Sequence, residues 1–372
     1  MDHLEENVYR AWLAGAMIQP DRANALLEAY GSAEALHGAW RKREGNLLQR
    51  LTEGEKKQLA RNDAAPVLDR WREMISGQRI QSWIWTDADY PPILRQIADP
   101  PPVLFRQGSP EALGGRMLAM VGSRNASWDG IRSTRRIAKA LSRAGVRIVS
   151  GLATGIDGAA HEGCLEGGSP TVAVMGCGLD RVYPTNHREL KERILAAGGL
   201  FLSEFAPGET PAGWHFPVRN RIISGLCPAV VLMEAKIRSG SMSTVRHALD
   251  QGRDVFVWPG DPSSPLYEGN HQLLREGAIY FTRPEDLLED LGWLDKEPEV
   301  VQNTVQPLPE AGGDIPPAEK SILAALERGK LSFEELCVQT GLEAGGLMAA
   351  LTTLQIRGKV ETLPGKMYQL RR

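Results

Sequence analysis

The chain has 372 residues, of which 42% are hydrophobic and 24% charged, with 43 basic against 46 acidic side chains. That is the composition of an ordinary globular chain of two or three domains, and it excludes a disordered or fibrous protein. The net charge of −3 confines any polyanion site to a local patch, and no run of about 18 apolar residues marks a membrane span.

The N-terminus, MDHLEENVYR, is acidic and lacks an apolar stretch, so a secretory leader is not expected and the expected compartment is the cytoplasm. Residues 1–80 show apolar positions at helical spacing in VYRAWLAGAMI, ANALLEAY and AAPVLDRWREMI, with a stop and a new cap at Gly31-Ser32. This predicts a small helical domain of SAM or helix-hairpin-helix type. The glycine-rich hairpin with which such modules hold phosphate is replaced by MIQPD, so a structural or dimerising bundle is expected.

Residues 81–293 alternate short apolar runs with amphipathic stretches. Strands are predicted at Met117–Val121, Val146–Val149, Thr171–Met175, Leu200–Ser203, Ala229–Met233 and Asp254–Trp258, with helices near 130–144, 155–167, 186–197, 217–225 and 242–251. Such alternation predicts an α/β fold, an extended Rossmann-like doubly wound parallel sheet with helices on both faces. Residues 294–316 are polar and rich in Pro and Gly, a linker. Residues 317–372 read as three helices and a hairpin turning at Pro364-Gly365, the winged-helix pattern. The four cysteines, Cys164, Cys177, Cys227 and Cys337, have no zinc spacing and are expected to be reduced.

In an open parallel sheet, ligands bind at the carboxyl ends of the strands. There this sequence places Gly122-Ser123-Arg124-Asn125-Ala126-Ser127, then Ser150-Gly151 through Thr154-Gly155-Ile156-Asp157, then Gly176-Cys177-Gly178-Leu179-Asp180-Arg181, and finally Glu234-Ala235-Lys236-Ile237-Arg238-Ser239-Gly240-Ser241. Glycines admit close backbone approach, helix N-termini and hydroxyls donate to anions, and arginine forks onto phosphate. The ligand expected is therefore phosphate-bearing. A P-loop is absent, and Arg181 stands where a dinucleotide fingerprint needs its third glycine; no cofactor is expected.

The cluster Trp214-His215-Phe216-Pro217-Val218-Arg219-Asn220-Arg221 interleaves aromatics with cations, as a single-stranded nucleic-acid surface requires. The same residues would also serve as core aromatics and internal ion pairs. Asp157 and His161, four apart on one helical face, form either an acid–base pair or a dipole-stabilised aspartate beside a satisfied histidine. No third ligand accompanies them, so no metal is expected.

Seven segments in register resemble the DNA-processing protein A family, also called Smf: YPPIL through DPPPVLF, VGSRNAS, SGLATGIDGAAHEGCL, GCGLDRVYPTNH, SEFAPGETP with HFPVRNRIISGL, EAKIRSGSMSTVRHALDQGRDVFVWPG, and EGNHQLLREGA. They cover nearly all of residues 87–282, and the helical front and winged-helix tail match the family's long architecture. The resemblance implies a protein without established catalytic activity. It would bind single-stranded DNA regardless of sequence, protect incoming strands in natural transformation, load the RecA recombinase and dimerise through its Rossmann-like core. It implies Arg124 as the principal phosphate-binding cation. Gly122, Ser123, Gly151, Thr154 and Gly155 would form the pocket floor, and Arg219, Asn220, Arg221, Ser239, Gly240 and Ser241 would complete it.

Departures from the family pattern are visible. Thr185 follows Tyr183-Pro184 where several members carry lysine, leaving His187 and Arg188 to compensate. Trp214 stands where a basic residue is common, and Lys236 and Arg238 are further auxiliary cations. In the tail, the recognition helix, about Glu343 to Ile356, holds no Lys or Arg before Arg357; charge gathers at Lys359, Lys366, Arg371 and Arg372. Protein contact or auxiliary DNA contact is expected there rather than base readout. The alternative enzyme reading is a nucleoside-monophosphate phosphoribohydrolase, since SGSMST stands where those enzymes carry a glycine-rich loop; their catalytic glutamate would fall near His247.

Overall fold

The computed structural model describes residues 3–294, 316–327, 329–356, 358–363 and 367–370. It forms two compact units, Met1–Leu294 and Asp295–Arg372, described separately.

The first unit begins with six helices, α1 (His3–Ala14), α2 (Pro20–Tyr30), α3 (Ala33–Arg41), α4 (Gly45–Gln49), α5 (Glu53–Asn62) and α6 (Ala65–Gly77). The stop at Gly31 is left-handed (φ 78°), and Ser32 then caps α3 by accepting the Ala35 N–H at 3.0 Å. Trp12, fully buried, donates to the Leu59 carbonyl, while Asn62 donates back to the Trp12 carbonyl, both at 3.0 Å. The bundle shares one apolar cluster with the sheet: Val8, Trp12, Leu27 and Trp71 belong to it together with Ile84, Phe105, Ala173 and Phe201.

The sheet and its connections run β1 (Gln81–Ile84), α7 (Pro92–Arg95), β2 (Val103–Gly108), β3 (Met117–Val121), α8 (Trp128–Arg143), β4 (Arg147–Ser150), α9 (Ile156–Gly167), β5 (Val172–Val174), α10 (Arg188–Ala196), β6 (Leu200–Ser203), α11 (His215–Gly225), β7 (Ala229–Leu232), α12 (Ser241–Asp250), β8 (Asp254–Val257), α13 (Glu268–Arg275), β9 (Ile279–Tyr280) and α14 (Pro284–Asp290). The strand order is β1-β2-β6-β5-β4-β3-β7-β8-β9. From β6 to β9 every pairing is parallel. The inner strands β3, β5 and β7 are apolar along their whole length because both faces are covered. Met117, Ala119 and Val121 pack with α11 and α12, whereas Leu118 and Met120 pack with α8, α9 and α14.

All six predicted strands are present to within a residue or so at each end. Two strands that were not predicted extend the parallel sheet: β2 pairs antiparallel with β6 and β1 antiparallel with β2, with Phe105 opposite Ser203 and Leu104 opposite Trp83. The order reverses between β3 and β7, which makes their carboxyl ends the switch point where ligands of such sheets bind.

The second unit contains α15 (Pro317–Leu326), β10 (Leu331–Ser332), α16 (Phe333–Thr340), α17 (Ala344–Ile356), β11 (Val360–Leu363) and β12 (Met367–Leu370). Ile322, Leu336, Leu347, Leu351 and Leu354 form its core, and a Ser332–Glu335 capping box opens α16. This is the winged-helix arrangement with β10 added to the hairpin. The outward positions of α17, Ala344, Gly345, Met348, Ala349 and Thr352, carry no charge. Most of the predicted linker (295–315), the turn at Pro364-Gly365, and Arg357, Lys366, Arg371 and Arg372 lie outside the described residues.

Candidate functional site

An open cleft of about 720 Å³ lies at the carboxyl ends of β3 and β7. Three segments supply most of its wall: Gly122–Asn125 after β3, Lys236 with Arg238–Ser241 after β7, and Phe216, Pro217, Arg219 and Asn220 of α11.

The Arg124 turn is held from below. Ser123 N–H donates to the Glu234 carbonyl at 2.7 Å. A Cβ on Gly122 would stand 2.6 Å from Ile156 and 2.9 Å from the Glu234 carbonyl oxygen, so only glycine fits that approach. Gly155, at φ 75°, passes so near that its missing Cβ would lie 2.7 Å from the Arg124 carbonyl oxygen, and Thr154 Oγ1 donates to that oxygen at 3.1 Å. Thr154 and Gly155 therefore support the Arg124 backbone instead of lining the floor.

Above this support the Arg124 guanidinium sits 4.6 Å from the centre of the Phe216 ring. Phe216 is seated against Gly176, where a Cβ would press on the ring at 3.0 Å. Tyr183, half-exposed, packs on Phe216 from the side at 5.5 Å. Arg124, Lys236 and Arg238 are exposed, and no carboxylate among the described residues pairs with any of them. Three unneutralised cations thus share one rim.

Arg219 is different. Its side chain is buried, with Nη1 donating to the carbonyls of Gly151 (2.9 Å) and Val174. The guanidinium fills the space a Gly151 side chain would take. Burial pulls its pKa down to about 10, against the opposing charge of Asp157. Asp157 accepts N–H groups from Gly151 (3.2 Å) and Ala153 (3.3 Å), and burial raises its pKa against the pull of Arg219 and those donors. Asn220 donates to Ser243 Oγ at 2.7 Å, and the Ser239 and Ser241 hydroxyls hydrogen-bond to each other at 2.8 Å beside the start of α12. Those groups present polar edges to the cleft wall.

Arg221 does not line the cleft, correcting the expectation that placed it there. Its side chain is 3% exposed; Nη1 and Nη2 clasp Glu204 at 2.6 and 2.7 Å, and Nε meets Asp99 at 3.0 Å. Gly151 likewise lies beneath the wall, as the seat of Arg219. His187 Nδ1 hydrogen-bonds to the Leu152 carbonyl at 2.9 Å, Arg188 is exposed at the start of α10, and Trp214 leans on Phe205 and His215; none of the three is in the cleft wall.

The acid–base reading of Asp157 and His161 is also corrected. His161 is buried and hydrogen-bonds through Nδ1 to Thr171 Oγ1 at 2.8 Å, and burial pushes its pKa down to about 3, so it stays neutral. No cluster of three metal-ligating side chains occurs among the described residues.

Glu234 shows how the cleft differs from a nucleotide site. Fully buried, it accepts the Ser127 N–H at 2.9 Å and the Ser127 hydroxyl at the start of α8. In dinucleotide-binding Rossmann domains the pyrophosphate takes that helix start. Here an internal carboxylate fills it.

A family model described as DNA recombination-mediator protein A matches residues 81–292, and one described as the DprA winged helix domain matches residues 306–366. Protein Smf of Escherichia coli is 39% identical over 293 residues, covering 76% of this chain and 75% of its own length. The X-ray structure of DNA processing protein A from Streptococcus pneumoniae superposes with a TM-score of 0.65 at 34% identity, covering 76% of this chain and 97% of that one. DNA processing protein A from Helicobacter pylori, whose structure concerns its single-stranded DNA binding mode, gives a TM-score of 0.52 at 29% identity over 58% of this chain and 97% of that one.

Proposed function

Because the chain belongs to the DNA recombination-mediator protein A family, also known as DprA or Smf, we propose that its cleft binds single-stranded DNA without regard to sequence. The observation that carries this reading is the row of unneutralised cations, Arg124, Lys236 and Arg238, beside the Phe216 and Tyr183 rings. Cations that track a backbone next to rings on which any base stacks make a sequence-tolerant surface. The open shape of the cleft suits a polymer that enters and leaves along its length, and the carboxylate at the α8 start disfavours a dinucleotide.

The finer reading is that the protein covers incoming strands and delivers them to the RecA recombinase, and that it holds DNA instead of turning it over. Dimerisation through the core is part of the same reading. The last strand of the sheet, β9, is apolar and outward-facing, with Tyr280 66% exposed and Leu249 57% exposed nearby, and such an edge favours pairing with a second copy. For the second unit, the uncharged outer face of α17 favours protein contact over base readout.

Fluorescence anisotropy with labelled poly-dT across a salt series tests the reading. Affinity should fall linearly in log–log form with salt, and Arg124→Ala should flatten the slope by roughly 0.7, the value for one lost phosphate contact on a single strand. Equal affinity for duplex and single strand, or an unchanged slope in Arg124→Ala, refutes it.

A further inference from the structure

Helix α8 begins directly after the Arg124 turn, with Ser127 as its cap. One face packs into the core through Ile137, Ala138 and Leu141. Its solvent face carries a basic stripe, with Asp129 and Ile131 exposed beside it. At about 100° per residue, Trp128, Arg132, Arg136 and Arg143 fall within an arc of roughly 80°.

Trp128 heads the stripe and is the most exposed aromatic side chain among the described residues, at 70%. The Arg132 guanidinium lies 4.6 Å from its ring centre, covering one face of the indole and leaving the other open. Arg132 is tied only by an exposed pair to Asp129, at 3.2 Å, which contributes little and yields readily to a phosphate. Arg135 and Lys139 are held by Glu166 of α9. Arg136 and Arg143 are exposed, and no carboxylate among the described residues pairs with either.

The indole thus stands open to solvent beside one weakly tied arginine, with two unpaired ones farther along the same face. The combination of an aromatic post with a row of cations is the pattern that holds a single strand. We propose that α8 is a second track for single-stranded DNA, continuing from the cleft: a base stacks on the free face of Trp128, and the backbone runs past Arg132 toward Arg136 and Arg143. The helix is about 24 Å long, enough for several nucleotides. This inference rests on the reading of the cleft, since the strand must arrive from the Arg124 rim.

The test uses the full-length protein and two labelled poly-dT strands, of roughly 6 and roughly 30 nucleotides, one near the lower end of the usual ~4–16-nucleotide sites and one well beyond their upper end. Trp128→Ala should weaken long-strand binding by roughly 5- to 150-fold, as expected for one lost stacking contact, and Trp128→Phe should recover most of that loss. The double variant Arg136→Gln/Arg143→Gln should lower the ratio of long- to short-strand affinity and reduce the long-strand salt slope by roughly 1.4. All these positions are on the surface, so thermal melting should match the wild type. If the wild-type protein binds both strands but the α8 variants show unchanged ratio and slope, the track is refuted while the cleft stands, and the stripe belongs to some acidic protein partner. If the wild type binds neither strand at low salt, both readings fall.

Discussion

Glu204→Ala should be among the most damaging single changes in the core unit, although it lies outside the cleft. It would remove the carboxylate clasped by both terminal nitrogens of Arg221 and leave a guanidinium that is 3% exposed with only the more exposed Asp99 and two backbone carbonyls, of Asp99 and Val218. Removing one partner of a buried pair costs about 3–5 kcal/mol, and the surviving contacts put this case near about 3. At about 2 °C per kcal/mol for a unit of this size, the melting temperature should drop by about 6 °C. Replacing both partners with apolar residues of similar volume, Arg221→Met/Glu204→Leu, removes the stranded charge and should restore most of the loss. Calorimetry measures the melting temperatures, and anisotropy on poly-dT measures whether the cleft notices. If Arg221 acts as an internal tie, the double variant keeps the wild-type salt slope. A slope flatter by roughly 0.7 in a well-folded double variant would mean that Arg221 touches phosphate after all, and the placement of α11 argued above would be wrong.

Gly155→Ala should weaken poly-dT binding, because the new Cβ displaces the Arg124 carbonyl (2.7 Å away) and the left-handed backbone adds about 1–3 kcal/mol of strain; Gly240→Ala, with open space around it, should leave stability unchanged in the same melting assay. His161 is proton-free when folded down to a pKa of about 3 but titrates near 6.5 when unfolded, so the unfolded chain takes up the extra proton as pH falls. Stability from this group is therefore intact above pH ~6.5 and declines below it by up to ~1.4 kcal/mol per pH unit. Urea titrations at about pH 6.5 and 5 should show a smaller loss in His161→Asn than in wild type, and equal losses would refute the assignment. Tyr280→Lys at the β9 edge should convert a dimer to a monomer in light scattering; a dimer that persists would place the interface elsewhere.

Six of the seven parallel strands were legible as short apolar runs, those of β3 to β6 ended by glycine or a hydroxyl, whereas β9, only Ile279-Tyr280, was too short to read. β1 was not legible either, since Gln81-Ser82-Trp83-Ile84 mixes polar and apolar residues, and β2 was hidden because Val103–Phe105 follows three prolines. The loops converging on the cleft were readable from residue type, and Arg124 stands exposed on the rim. Within α11 the spacing had offered internal ion pairs, which Arg221 makes, while the resemblance had put both arginines in the cleft: Arg219 and Arg221 are two positions apart, hence about 200° around the helix, and cannot share a face. That helix is buried on nearly all sides, so no apolar stripe showed which arginine faced which way. Glu234 was placed at the right sheet edge but its role was not legible, because a carboxylate at a strand end looks the same whether it awaits a ligand or caps a neighbouring helix.

The seating of Glu234 on the first turn of α8 bears on competition in a metabolically active cell. Free dinucleotides abound there, and an empty Rossmann-type phosphate cradle would keep filling with them. With its own acid group permanently installed in that berth, this protein offers short metabolites little grip. On the proposed reading a long strand would gain from many weak holds spread along its length, and the fold would select polymer over monomer by occupying its own most familiar socket.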